Sequence, residues 1–215
     1  MITTAKIVGY DGDCLTLRPD GYIDNELLKK SVDKVEIRLV DGRTITAEQR
    51  KKAYALIKDI CQWSGHLPEE VKEYSKLNYC MEHGIDWFSL SDCDKTTARE
   101  YITYLVEFCM MNDVPCKDRL IDQTDDISVY LYQCLKHRKC AICGKKADFH
   151  HCEGFRPGMG VDRDEVPSLG IMGMALCREH HGECHFIGEE TFEKKYHVYG
   201  TKITEELCDI LKLRR

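Results

Sequence analysis

Up to residue 45 apolar and polar side chains alternate, in AKIVGY at 5–10, CLTLR at 14–18 and VEIRLV at 35–40. A period of two turns alternate side chains to one face, so each run predicts a short strand. The pairs Asp11-Gly12 and Asp41-Gly42 suit tight turns, and together these signals predict a small antiparallel sheet.

From Thr46 the period lengthens. Thr46 and Gln49 have the spacing of a capping box, and Ala53, Tyr54, Leu56, Ile57, Ile60 and Cys61 recur at helical intervals until Gly65. Thr97 and Glu100 suggest a second capping box, followed by Tyr101, Ile102, Leu105, Val106 and Cys109, with the helix ending before Asn112 and Pro115. PEEVKEYSKLNYCMEHG, between the two, predicts a further helix. The segment KDRLIDQTDD at 117–126 is acidic and poor in apolar residues, which predicts a linker and a domain boundary near its end. The expected division is residues 1–125 and residues 126–215.

Past that point the composition shifts. Six of the nine histidines fall between His137 and His185, and five cysteines between Cys140 and Cys184. The chain has 13 cysteines and no N-terminal basic segment followed by an apolar stretch, which predicts a cytoplasmic protein with reduced, metal-capable thiols. Its formal charge is −6. Residues 1–135 carry 17 basic against 24 acidic side chains and residues 136–215 carry 14 against 13, so any contact with a polyanion must use local basic patches. Arg43, Arg50, Lys51 and Lys52 form a basic run at the start of the first helix, a pattern that by itself reads as a solvated face and that only the second resemblance below turns into a candidate DNA contact. Tyr54, Trp63 and Trp87 could stack on bases, but aromatics at helical spacing are expected in the core.

The cysteine and histidine spacings point to metal. A CxxC at Cys140 and Cys143 and a CxxH at Cys177 and His180, with 33 residues between them, supply four ligands for a closed tetrahedral structural zinc site, with His181 an alternative to His180. His181 and His185 lie four apart and would share one helix face. His150 and His151 are adjacent in a strand and so face opposite ways; one can join a second metal while the other serves as a base. Cys152 and Cys184 read as spare thiols, although Cys184 is close enough in sequence to compete for metal; Arg156, Arg163 and Arg178 could clamp phosphate, with a solvated surface charge the favoured reading for each.

The order of these elements, CAIC, then DFHH, a glycine-rich loop, then CREHHGECHFIGEETFEKKY, resembles the HNH nucleases with their ββα-metal core, in particular a zinc-knuckle subclass encoded by temperate phages. The resemblance covers roughly residues 134–215. It implies that His150, His181 and His185 hold a catalytic divalent ion (Mn, Ni, Co, Zn or Mg) and that His151 is the general base, leaving 5′-phosphate and 3′-hydroxyl ends. An imidazole, with a pKa of about 6.5, suits that role at neutral pH. The asparagine that gives the family its middle letter has no counterpart: residues 113–215 contain no asparagine, and IMGMAL stands before Cys177.

DGRTITAEQRKKAYALIKDIC, EEVKEYSKLNYC and FSLSDCDKTTAREYITYLVEFCMMNDVP are similar to the Orf (NinB-type) recombination mediators of temperate phages, over roughly residues 35–120. That likeness implies a homodimer that binds single-stranded DNA and works with a host single-strand-binding protein. No GxxxxGK[ST] loop is present. The expected fold is α+β: an Orf/NinB-like sheet with helices, then a ββα-metal HNH domain with structural zinc. The expected function is a metal-dependent endonuclease of phage recombination acting on single-stranded or branched DNA. The alternative is a non-catalytic mediator whose zinc module only docks. A zinc-finger transcription factor is a weaker third reading, because nothing resembles a recognition helix rich in basic residues.

Overall fold

The computed structural model describes residues 5–19, 37, 42–152 and 167–214. Strands β1 (Ala5–Asp11) and β2 (Cys14–Pro19) form an antiparallel hairpin, from Ala5 opposite Pro19 to Asp11 opposite Cys14. Its turn residues are Gly12 and Asp13, one position past the expected pair because Asp11 still pairs with Cys14, and Gly12 takes φ 54°. Apart from Ile37, the third expected strand at 35–40 lies outside the described residues, as does Asp41.

Helix α1 (Ala47–Ser64) begins with the expected capping box: Gln49 N donates to Thr46 Oγ1 and Thr46 N to Gln49 Oε1, both at 3.1 Å. It stops at Gly65, which is left-handed at φ 77°. Helix α2 (Pro68–His83) fulfils the expectation for 68–84, opening on Pro68 and closing at Gly84.

Helix α3 (Lys95–Met111) corrects the sequence reading at its start. The cap is Asp94, which accepts from Thr97 N at 2.9 Å; Thr97 itself is a buried third helical residue. The cause is tertiary. Thr44 and Asp94 form a β-bridge, with Ile45 N donating to Cys93 O at 2.8 Å, so α1 and α3 leave one short ladder side by side. Ala53, Leu56, Ile57 and Ile60 then pack against Tyr101, Ile102 and Leu105, all essentially without solvent contact.

The expected linker at 117–126 is folded instead. It contains the single turn α4 (Leu120–Gln123) and is tied to α1 twice. Lys117 N donates to Asp59 Oδ2 at 3.0 Å, and Lys52 Nζ donates to Asp125 Oδ1 at 2.6 Å. Helix α5 (Ile127–Lys136) follows, capped by Asp126, and buries Tyr130, Leu131, Cys134 and Leu135 against α3 and the second sheet. The hydrophobic cluster is continuous from α1 through α5 into the last third of the chain.

That second sheet is antiparallel in the order β3 (Asp148–His151), β4 (Met172–Leu176), β5 (Thr201–Lys202). Helices α6 (Arg178–Ile187) and α7 (Glu189–Tyr196) lie between β4 and β5, and α8 (Glu205–Leu211) closes the chain. Helices and small antiparallel sheets thus mix as an α+β fold, with β3, β4 and α6 in ββα order. No helix among the described residues is long and apolar enough to cross a membrane.

Candidate metal centres and nuclease site

Among the described residues, two separate clusters of metal-capable side chains assemble around the ββα unit. The first is Cys140, Cys143, Cys177 and His180. Cys140 and Cys143 sit on a tight knuckle after α5, where Cys140 N donates to Lys145 O at 2.7 Å and Gly144 N to Cys140 O at 2.9 Å. Gly144 takes φ 68°, the left-handed conformation that lets the chain double back beneath the two thiols. The knuckle is anchored from both sides: Ala141 N donates to Ala175 O of β4, and the buried Tyr130 hydroxyl of α5 donates to Ala141 O, each at 2.9 Å.

The other two members come from the start of α6. Cys177 is its N-cap and His180 its third residue, so the turn that begins the helix also brings the pair together. Cys143 Sγ lies 3.7 Å from Cys177 Sγ, and Cys140 Sγ lies 3.5 Å from His180 Nδ1. A tetrahedral zinc with ordinary bond lengths requires S···S of about 3.8 Å and S···N of about 3.6 Å. Cys177 Sγ to His180 Nδ1, at 3.1 Å, is the tighter edge. These four residues could therefore hold a zinc ion with little rearrangement.

Electrostatics divides the thiols. Burial pushes Cys143 up to about 12. Burial is also the largest influence on Cys177, but the N–H groups of His180 and Glu179 and the neighbouring thiols outweigh it, leaving Cys177 below the ordinary thiol value. Helix N-terminal amides stabilise a thiolate in this way, which suits Cys177 to be the first ligand to ionise.

The second cluster is His150, His181 and His185, each of which offers one ring nitrogen within 4.8 Å of the others. His150 is buried on β3 and its ring centroid lies 4.7 Å from that of His181 and 5.2 Å from that of His185. The last two stack at 4.8 Å along α6. Cys184, which the sequence reading set aside as spare, is fully buried with Sγ 3.7 Å from His150 Nε2, so it packs behind a candidate ligand. Three imidazoles around one ion need N···N of about 3.0–3.4 Å, and one nitrogen from each of these rings lies within 4.8 Å of the others.

His151 follows the strand alternation and leaves the opposite face of β3 from His150. Its ring stands edge-on to Phe149 at 4.6 Å and 69°, and it pairs across the sheet with Gly173. A Cβ on Gly173 would stand 2.1 Å from Phe149 Cε2. The bare glycine is what lets Phe149 lie flat there and back the imidazole.

The basic residues expected to meet DNA separate into two kinds. Arg50 donates to the carbonyls of Leu90 and Ser91 at 2.9 and 2.8 Å, and Lys52 is held by Asp125, so both are committed to the fold. Lys51 is exposed, and Arg43 lines with Lys95 and Arg99 an open groove at the paired starts of α1 and α3. The aromatics depart from expectation: Tyr54, Trp63 and Trp87 are 45%, 44% and 54% exposed rather than core. Trp87 is covered on one side by the Lys76 ammonium 3.8 Å above its ring, which leaves the remainder at the surface. Arg178 is exposed at the head of α6, and Arg156 and Arg163 lie outside the described residues. Sequence reasoning passed over Phe186. The run HFIG, beside the candidate ligand His185, was its signal, but hydrophobicity alone would have sent the phenyl inward.

A ββα unit whose strand and helix turn three imidazoles toward one point, beside a thiolate knuckle, defines a metal-site fold of the nuclease class. The family model described as "Putative HNHc nuclease" matches residues 23–214, and the chain belongs to that family. The match also spans the helical region likened above to the Orf-type mediators and runs across the expected boundary at 125. The family implies nucleic acid as the partner class. Neither a curated protein nor a solved structure gives a significant match.

Proposed function

We propose that this protein is a metal-dependent DNA endonuclease with His151 as general base, His150, His181 and His185 as ligands of a catalytic divalent ion, and Cys140, Cys143, Cys177 and His180 as ligands of a structural zinc. One observation carries the reading: three imidazoles converge within 4.8 Å from two elements, while the adjacent histidine leaves the same strand on the other face. A single structural metal has no use for that division.

His151 takes a proton from water, the resulting hydroxide attacks phosphorus, and the P–O3′ bond breaks. The 3′ oxygen leaves and acquires a proton, giving 3′-hydroxyl and 5′-phosphate ends. A divalent ion, when bound, supplies Lewis-acid stabilisation of charge on the phosphoryl and leaving oxygens. Phe149 holds the base ring from behind, a part the absent asparagine would otherwise share. Residues 1–125 retain DNA, with Arg43 and Lys51 at the surface, and residues 126–215 cut it. Homodimerisation, contact with a single-strand-binding protein and a place in phage recombination are supported by the Orf-type resemblance of residues 35–120.

The test is incubation of purified protein with circular single-stranded and supercoiled DNA across Mn, Ni, Co, Zn and Mg, with His151→Ala alongside. Nicking by the parent protein is expected with at least one added ion. His151→Ala is expected to lower it by at least about 10²-fold while retaining DNA, the usual scale of acid–base catalysis. One zinc per chain with no activity under any ion would favour the non-catalytic mediator, and unchanged nicking by the variant would remove His151 from its role.

A further inference from the structure

Helix α6 presents a third stripe of side chains, beside the ligand histidines, that neither metal cluster uses. Arg178, Gly182 and Phe186 recur at intervals of four and lie next to the edge carrying His181 and His185. All three are exposed, and Phe186, at 91%, is the most exposed large apolar side chain among the described residues. The fold gains nothing from that phenyl, and hydration of its ring is unfavourable. Between the arginine and the phenyl, the place a Cβ on Gly182 would occupy has no atom within 4 Å, so the helix backbone lies bare.

The charges on α6 are sorted to match. Glu179 is held by Lys145 at 3.1 Å, and Glu183 by Lys195 at 2.5 Å and the Tyr196 hydroxyl at 2.9 Å. Both acids of the helix are thus drawn to partners on other elements, and Arg178 heads a stripe with no carboxylate of its own. A cation, a flat stretch of backbone and an exposed ring in sequence match the phosphate, sugar and base of a nucleic-acid strand. Arg178 to Phe186 spans about 12 Å of helix, the length of three to four base steps at about 3.4 Å each. A second protein is a poorer occupant, because a stable interface removes roughly 800 Å² from each partner and a lone ring among polar neighbours offers a small part of that.

We propose that this stripe is a nucleic-acid track, and that Phe186 stacks on an unpaired base flanking the phosphodiester presented to the imidazole cluster. The assignment rests on the nuclease reading above and adds a substrate class to it. A base can cover the ring only when it is out of its own stack, so the track selects single-stranded or distorted DNA over intact duplex.

The experiment uses the full chain carrying His151→Ala, so that DNA is held uncut, and single-stranded oligonucleotides containing the fluorescent base 2-aminopurine. Phe186→Ala is expected to abolish the quenching that stacking causes and to weaken binding roughly 5- to 100-fold. Phe186→Trp is expected to keep both, and Phe186→Leu, which keeps apolar area without a π-face, to behave like the alanine variant. Arg178→Gln should lower affinity and flatten its salt dependence by about one phosphate contact. Equal binding by Phe186→Ala and its parent, or by Phe186→Leu and its parent, overturns stacking. So does a shift of Phe186→Ala to a smaller species in sedimentation, which would assign the ring to a second copy of the chain. The nuclease reading fails separately: absence of nicking with any ion removes it while lost quenching in Phe186→Ala still upholds the track, and a parent protein that holds no DNA overturns both.

Discussion

Gly173 illustrates how a residue with no side chain can set the geometry of a site. It faces His151 across β3 and β4 and pairs with Thr201 of β5 on its other side. An added methyl would meet the outer end of the Phe149 ring at 2.1 and 2.5 Å and the His150 carbonyl oxygen at 3.2 Å. The ring end can swing and the backbone cannot, so Gly173→Ala should cost about 1–2 kcal/mol of stability through overpacking. The larger effect falls on the imidazole that rests on that ring. We expect nicking at saturating DNA to drop at least about tenfold, as small misplacements of catalytic groups do, with zinc content unchanged. An undiminished rate would show that Phe149 does not position His151. The ligand candidates were legible in the sequence because CxxC, CxxH, an adjacent histidine pair and an i, i+4 pair are local patterns. Gly173 and Phe186 were not, since close approach and exposure exist only once distant segments meet.

At the scale of elements, α6 does two jobs from neighbouring faces. Its first turn closes the thiolate set through Cys177 and His180, and its next turns carry His181 and His185. Tyr196 of α7 braces it, with its ring centroid 5.6 Å from that of His180, the rings nearly perpendicular, and its hydroxyl on Glu183. Losing the first metal should therefore disturb the second site without touching its ligands. Cys143→Ser is expected to reduce tightly held zinc from one per chain to near none. It should also lower Tm by roughly 6–12 °C, the equivalent of about 3 kcal/mol in a chain of this size. The variant's nicking should fall even though His150, His181 and His185 are intact. Full zinc retention, read by colorimetric release on unfolding, would exclude Cys143 as a ligand. Elements were legible where local signals agreed, as with the Thr46 capping box and the Gly65 and Gly84 stops. They were missed where tertiary contacts decided. The bridge to Thr44 made Asp94 the cap of α3, and the ties from Asp59 and Lys52 folded the acidic stretch at 117–126.

Across the whole molecule, one carboxylate gathers several of the polar ties between the helical region and the approach to the metal-bearing region. Glu107 on α3 accepts from Gln133 Nε2 at 3.1 Å, Lys136 Nζ at 2.9 Å and His137 Nε2 at 2.7 Å, all from the C-terminal end of α5. That end of α5 leads directly into the knuckle at Cys140. Burial is the largest influence on Glu107 and pushes its pKa up, but the bonds from Lys136 and His137 together prevail and hold it below the ordinary carboxylate value. A folded-state pKa below the unfolded value of about 4.3 stabilises the fold at neutral pH. That contribution fades as pH falls through the carboxylate range, because protonation in the folded state forfeits the bonds. Glu107→Gln keeps the shape and removes the charge. It should cost about 1–2 kcal/mol at pH 7, and the gap between variant and parent should narrow toward zero by about pH 3. Urea unfolding of both proteins at a series of pH values measures it, and because acid also releases any bound zinc by protonating its thiolate ligands in both, taking the difference cancels that shared loss. A gap that stays constant from neutral to acid pH would mean the carboxylate's charge does not join the two regions.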